Sequence, residues 1–418
     1  MITETLPGYQ CPGESHPISQ AVHLARLASF YPNCRGCAHV NDTGTLSPQL
    51  VKLLTQTRRR EHDPSLFSAE GVMGVYLNTL NTAQTRDLAA AFGLGLSHRG
   101  AEPEQMTDDV VVASDGRPLT CELVAAACDG LRWTGRRVID LGAATAPCVA
   151  WAIYHLRAAG GVLVGNTGDQ PQSIGLKFWQ RDGRPLSAGP ELDRVRQLFE
   201  AGVDRPCRSS GALGRFQPGG GYLAGLEDHF HALRPLRFVL DTQCQPLLDY
   251  LRVLSAKSAC DVVHDQGLGR QSTTRRGLAE RVRRADAHFG VWIGSDGEAC
   301  RLVDQLGQEV RHDEWLSLIA RQWIESHPGA AFVLEHETNA SLAKRINAAG
   351  GHVAFSDPAR AAMDNAMREH GAMAGGGPSG RLWFGGEAPA ADILKALALL
   401  LTIMSQSDRS LCEMVREC

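Results

Sequence analysis

Cys34 and Cys37 stand at the CxxC spacing that lets two thiolates reach one tetrahedral metal ion. Cys11 is close enough to return as a third ligand, with His39, His16 or His23 as the fourth. Such a set would staple residues 1–65 around zinc or, with three cysteines and one other ligand, an iron–sulfur cluster. An incidental CxxC or a redox pair is the plain alternative. Oxygen chemistry is concentrated elsewhere. Asp296 and Glu298 share one short turn in Gly290–Ala299, GVWIGSDGEA, where two carboxylates could hold a hydrated cation weakly. The stretch Gly160–Lys177, GGVLVGNTGDQPQSIGLK, passes from an apolar run into small polar residues that include the hydroxyl of Thr167.

These groups need elements to place them. Ser19, after the helix-breaking Pro17, reads as an N-cap for a helix near Ile18–Phe30, and a second helix is expected over Ser47–Arg60. From about Phe67 the rhythm changes. Val110–Ala113, Arg137–Leu141 and Gly161–Val164 read as strands, separated by helices at Thr120–Leu131 and Pro147–Ala158. The pattern resumes at Leu236–Asp241, Gly290–Ile293, Ala331–Glu335 and His352–Phe355, and the last helix is expected over Ala390–Met404. Strands alternating with helices of this length imply parallel βαβ units. Pro218–Gly221 reads as a linker, because a glycine run has no preferred backbone conformation.

Several ordered landmarks resemble the α-D-phosphohexomutases, the phosphoglucomutase/phosphomannomutase superfamily. They are FSAEGVMG at Phe67–Gly74, VVVASDGRP at Val110–Pro118, IDLGAATAP at Ile139–Pro147, the Gly160–Lys177 loop, GVWIGSDGEA, and GGGPSGR at Gly375–Arg381. The resemblance runs from Phe67 to Cys418. It implies an α/β fold of three consecutive three-layer α/β/α domains at residues 66–190, 191–305 and 306–418, preceded by the Cys/His segment 1–65, with the family's fourth domain absent.

The reactive positions implied by the resemblance are altered. Thr167 falls on the nucleophile position where the family has a phosphorylated serine, Gly168 on its histidine, Asp169 on its asparagine, and Met73 on an arginine. The family's magnesium loop, GIAFDGDGDR, keeps one aspartate as Asp296, with Gly294, Glu298 and Ala299 at the other positions. Strong Mg2+ binding is therefore not expected. The sugar loop GGExSGH keeps Ser379 but has Gly377 and Arg381 at the ligand positions. Lys177, Arg117, Ser379 and Arg381 are the candidate ligand-binding groups if the fold brings them together.

At 418 residues with 43% apolar and 21% charged content, the chain suits several globular domains. A net charge of −4 gives no electrostatic case for nucleic acid or an acidic membrane surface. No secretory signal opens the chain, and Ile393–Met404 is too short to span a bilayer, so a cytoplasmic setting with reduced cysteines is expected. The expected function is a phosphohexomutase-family protein that has lost mutase activity and serves as a sugar-phosphate-binding, regulatory or scaffold protein. A protein partner, a sugar phosphate or a second copy of the chain would be its partner. The alternative is an active hexose-phosphate phosphotransferase using Thr167, with a cation at Asp296 and Glu298.

Overall fold

The computed structural model describes residues 8–417 apart from 12–14, 30, 32–33, 35–36, 62–65, 97–106, 166–172, 203–206, 257 and 265–274, and the backbone alone for 55–61 and 275–276. The chain forms two compact units, Met1–Ser65 and Leu66–Cys418. In the smaller unit, Tyr9 and Ile18 form an antiparallel bridge, and Ser19 caps the helix Gln20–Ala28 by accepting from the Val22 amide, as predicted. Leu27, Cys34 and Leu54 are its buried centre.

The larger unit contains three sheets among its described residues. The first has strands β1 (Phe67–Ser68), β2 (Gly71–Val75), β3 (Asp109–Ser114), β4 (Arg137–Ala143), β5 (Gly160–Gly165), β6 (Ser173–Gln180), β7 (Pro185–Leu186) and β8 (Leu213–Arg215). Its order is β1-β2-β6-β5-β3-β4-β8, with β7 paired to β6. The pairs β5–β3, β3–β4 and β4–β8 are parallel, while β6 pairs antiparallel with β5 on one side and with β2 on the other.

The second sheet comprises β9 (Arg237–Thr242), β10 (Asp261–His264), β11 (Phe289–Ile293), β12 (Cys300–Asp304) and β13 (Glu309–Val310). The third comprises β14 (Ala331–Glu335), β15 (His352–Ser356), β16 (Ala374–Gly376), β17 (Leu382–Phe384) and β18 (Ala390–Ala391). Their orders, β10-β9-β11-β12-β13 and β15-β14-β16-β17-β18, follow one plan: three parallel strands, then an antiparallel hairpin. Mixed sheets with covering helices give the expected three-layer α/β/α domains.

One continuous apolar core runs through the three sheets, including Ile153, Leu247, Phe289, Trp315, Phe332 and Leu400. Burying each leucine of this kind contributes about 1.5–3 kcal/mol. The apolar run near the C-terminus forms the helix Ile393–Ser405, buried along nearly its whole length. It starts three residues later than predicted because the Asp392 carboxylate caps it, accepting from the Lys395 amide, while Ala390–Ala391 pairs with β17. No helix among the described residues is long and apolar enough to cross a membrane.

The Pro218–Gly221 linker is a correction. Gly219–Ala224 is helical, and a Cβ on Gly221 would lie 2.5 Å from the Trp151 ring. Close ring packing, which composition does not register, overrides the low helix propensity of glycine.

The helices Thr82–Gly95 and Cys121–Trp133 pack together at Gly130, where an added Cβ would lie 2.1 Å from the Arg86 carbonyl oxygen. That obstacle is backbone and cannot rotate away. Gly130→Ala should therefore destabilise the protein by about 1–3 kcal/mol despite alanine's better helix propensity. Urea unfolding midpoints of the two proteins check it.

Candidate functional site

Lys177 lies in β6, whose central residues are all buried, and its ammonium reaches from the first sheet to the turn between β11 and β12 of the second. Its Nζ donates to Asp296 Oδ2 at 2.5 Å and to Glu298 Oε2 at 2.6 Å. The turn is shaped to offer both carboxylates on one side. Asp296 Oδ1 accepts from the Glu298 amide at 3.1 Å, and Gly297 takes a φ of 79°, which a side chain would make costly.

The third sheet brings two guanidinium groups to the same place. Arg360 opens the helix Arg360–Glu369, has a fully buried side chain, and holds its Cζ 4.6 Å from the centre of the Trp179 ring. It pairs with Glu70 at 3.4 Å and with Glu298 at 3.6 Å. Arg381, between β16 and β17, reaches Glu70 at 3.3 Å and Glu298 at 3.8 Å. Glu70 comes from the turn between β1 and β2. An antiparallel bridge between Ala299 and Arg381, with the Cys300 amide donating to the Gly380 carbonyl at 3.0 Å, ties the acidic turn to the Gly375–Arg381 loop.

Lys177, Arg360 and Arg381 thus face Glu70, Asp296 and Glu298, one charge for one. Buried charges need partners of opposite sign; Lys177 has hydrogen-bonded ones, while Arg360 Nε and Nη1 and Glu70 Oε2 make ion pairs but no hydrogen bond among the described residues. Burial pushes the Glu298 carboxyl up, but Lys177, Arg360 and Arg381 together override it and hold it at about 2. This donor set does not fit the Mg2+ that the family loop takes. Mg2+ needs close octahedral oxygen ligands, and here both carboxylates already face an ammonium, with two guanidinium groups beside it.

The other predicted ligand groups are placed as follows. Arg117 Nε pairs with the buried Asp115 at 2.6 Å and its guanidinium donates to the Ser173 carbonyl at 3.2 Å, so it braces the start of β6. Ser379 is held by Glu335, which accepts from its amide at 2.8 Å and from its hydroxyl. A Cβ on Gly377 would lie 2.5 Å from Thr338 Oγ1 and 2.7 Å from Glu335 Cβ, so no larger residue fits there without a shift. Thr167, Gly168 and Asp169 lie outside the described residues. Met73 is exposed on β2.

The sequence reading missed Glu70, Arg360 and Glu335. None stands in a motif with its partners: Glu335 meets Ser379 through the strand order of the third sheet, and Glu70 and Arg360 meet only where the first and third sheets pack together.

In the smaller unit Cys11, Cys34 and Cys37 are buried, and His39 sits edge-on to Tyr9 at 5.3 Å. Tyr9 stacks on His23 at 4.2 Å and donates to the Asp42 carboxylate, and the His23 ring bonds the Asp42 carbonyl at 2.9 Å. Among the described residues no group of three or more His, Cys, Asp or Glu side chains is arranged to hold a metal ion.

Three mixed α/β sheets meeting at an ionic junction, with the landmark loops in order, define a sugar-phosphate mutase architecture. Residues 64–203 match phosphoglucomutase/phosphomannomutase alpha/beta/alpha domain I, and residues 311–418 match domain III of the same family. A phosphoglucosamine mutase of Desulfovibrio desulfuricans is 27% identical over 371 residues, covering 84% of this chain and 80% of the relative. A protein of Xanthomonas campestris named for phosphohexose mutases is 26% identical, covering 84% of this chain and 79% of its own length. The structure of a phosphoglucomutase/phosphomannomutase family protein from Burkholderia thailandensis superposes with a TM-score of 0.74 at 23% identity, over 84% of this chain and 78% of that one, which speaks for the fold. The chain belongs to the α-D-phosphohexomutase superfamily. The relatives' names speak for mutase chemistry and none for its loss, which favours the alternative of an active phosphotransferase over the expectation of lost activity.

Glu298 supplies a pH test. Its folded-state value of about 2 lies below its ordinary 4.5, so its contribution is complete above about pH 4.5 and is lost as pH falls toward 2. Glu298→Gln should cost about 3 kcal/mol at neutral pH, and the gap to the wild type should close between about pH 5 and pH 2. Denaturant midpoints measured across that range check it.

Proposed function

We propose that this chain acts on a hexose phosphate as a phosphotransferase of the phosphohexomutase class. The observation that supports this is the convergence of Lys177, Arg360 and Arg381, from two sheets, on the Asp296–Glu298 turn of another, in a chain whose relatives carry mutase names. In this reading Thr167 is the phosphoryl acceptor. Phosphothreonine would pass its phosphoryl group to a sugar hydroxyl, giving a bisphosphate, and take the other phosphoryl group back, giving the isomer. Such transfer depends on positioning and on neutralising charge, which side-chain cations can supply. Arg381 is the cation best placed to meet a ligand. Its side chain is 16% exposed against 5% for Lys177 and 0% for Arg360, and its ion pairs are longer than those of Lys177. A cytoplasmic setting belongs to the same reading.

A second reading is hexose-phosphate binding without transfer, in a regulatory or scaffold role. Residue types favour it: threonine replaces serine at position 167, glycine replaces histidine at 168, and Gly377 has no space for a ligand-binding side chain.

Two measurements separate the readings. Incubation with glucose 1,6-bisphosphate should add one phosphoryl group to the intact mass, and Thr167→Ala should abolish the addition. Glucose 1-phosphate, mannose 1-phosphate or glucosamine 1-phosphate should then be converted to its 6-phosphate. Binding without an adduct or turnover would establish the second reading, and no binding of any hexose phosphate would sink both. Under either reading Arg381→Gln should weaken hexose-phosphate binding about tenfold or more, the loss expected for a charge-assisted hydrogen bond.

A further inference from the structure

The acidic turn between β11 and β12 already holds a cation that belongs to the chain. We infer that the Lys177 ammonium is the resident counter-cation of Asp296 and Glu298, and that it makes this site independent of divalent metal. The cation assignment stands apart from the proposed function; its consequence for phosphate handling rests on that reading.

Geometry carries the inference. Nζ sits within 2.5 and 2.6 Å of one oxygen from each carboxylate, bridging them as an ion would. The ammonium cannot easily withdraw. Lys177 is 4% exposed and belongs to β6, which is paired to β5 on one side and β2 on the other, with Lys177 itself opposite Leu163. A divalent ion would have to expel it and then face Arg360 and Arg381, both of which already pair with Glu298.

The turn has also lost an oxygen donor without losing the room for one. A Cβ on Gly294 would meet Asp296 Oδ1 at 3.4 Å and the Ala299 carbonyl at 3.5 Å, which is ordinary contact. Position 294 can therefore accept a side-chain carbon. An ammonium has three donors, and the two carboxylates take two of them. The third is left, among the described residues, for a ligand oxygen. Lys177 is in this sense a positioning residue: it holds the acidic turn and presents a fixed positive charge where the family places a metal ion.

Mn2+ titration of the full chain, followed by loss of the free-ion electron paramagnetic resonance signal, tests the assignment. Wild-type protein should bind no stoichiometric Mn2+, and Gly294→Asp alone should bind it weakly because Lys177 remains. The double variant Gly294→Asp/Lys177→Met should bind one ion about tenfold or more tighter than Gly294→Asp, since one adjacent like charge has gone. Lys177→Met alone should melt at a lower temperature than wild type, because two buried carboxylates lose their partner, and Mn2+ should raise that melting temperature. The Mn2+-induced shift serves as the readout if the Lys177→Met single or double variant is unstable without metal.

One-to-one Mn2+ binding by the wild type would overturn the inference. So would equal affinity in Gly294→Asp and the double variant, or a cooperatively folded double variant that binds no Mn2+. Glucose 1-phosphate titration in chelator and in Mg2+ examines the consequence. Equal affinity in both supports metal independence, and binding only with Mg2+ overturns it. No binding in either medium defeats the hexose-phosphate reading while the Mn2+ results decide the cation assignment.

Discussion

A single ammonium group between two carboxylates organises the larger unit of this protein. Lys177 leaves the first sheet, Asp296 and Glu298 belong to the second, and Arg360 and Arg381 arrive from the third. Lys177, Glu298 and Arg360 have been taken out of water almost completely, and none would be tolerated there alone. The relative placement of the three sheets is therefore constrained by charge pairing as well as by the apolar core beneath them. Packing fixes that the sheets meet, and the ion pairs fix how the loops at their junction are set.

Much of the architecture was readable from residue order. The apolar strands at Val110–Ala113, Gly161–Val164 and Ala331–Glu335, each with a helical stretch nearby in the chain, carry the parallel core of the first and third sheets, and Ser19 advertises its helix through its own side chain. Those signals are local, and local rules suffice for them. The antiparallel placement of β2 and β6 had no such signal, because it depends on which edges the sheet presents. The helix at Gly219–Ala224 depends on Trp151, far away in sequence.

The site was legible only in part, and the division is physical. Lys177, Asp296, Glu298 and Arg381 sit in motifs whose spacing marks them, and the fold brings these four together. Nothing in the spacing says that Lys177 is the partner of Asp296, since the pair is formed across two sheets. Glu70 sits inside the FSAEGVMG landmark but nothing there points to Arg360 and Arg381, and Arg360 is an ordinary helix-end arginine until Glu70, Glu298 and Trp179 appear beside it.

Gly377 limits what a small change to the loop can do. The Glu335 side chain and the Thr338 hydroxyl occupy the volume that any side chain at 377 would enter, and Glu335 is in turn committed to Ser379. A glutamate at 377 would meet Thr338 and Glu335 at its first side-chain carbon. A single codon change therefore cannot install a ligand-binding side chain at 377: Glu335 and Thr338 must move first, and Ser379 with them.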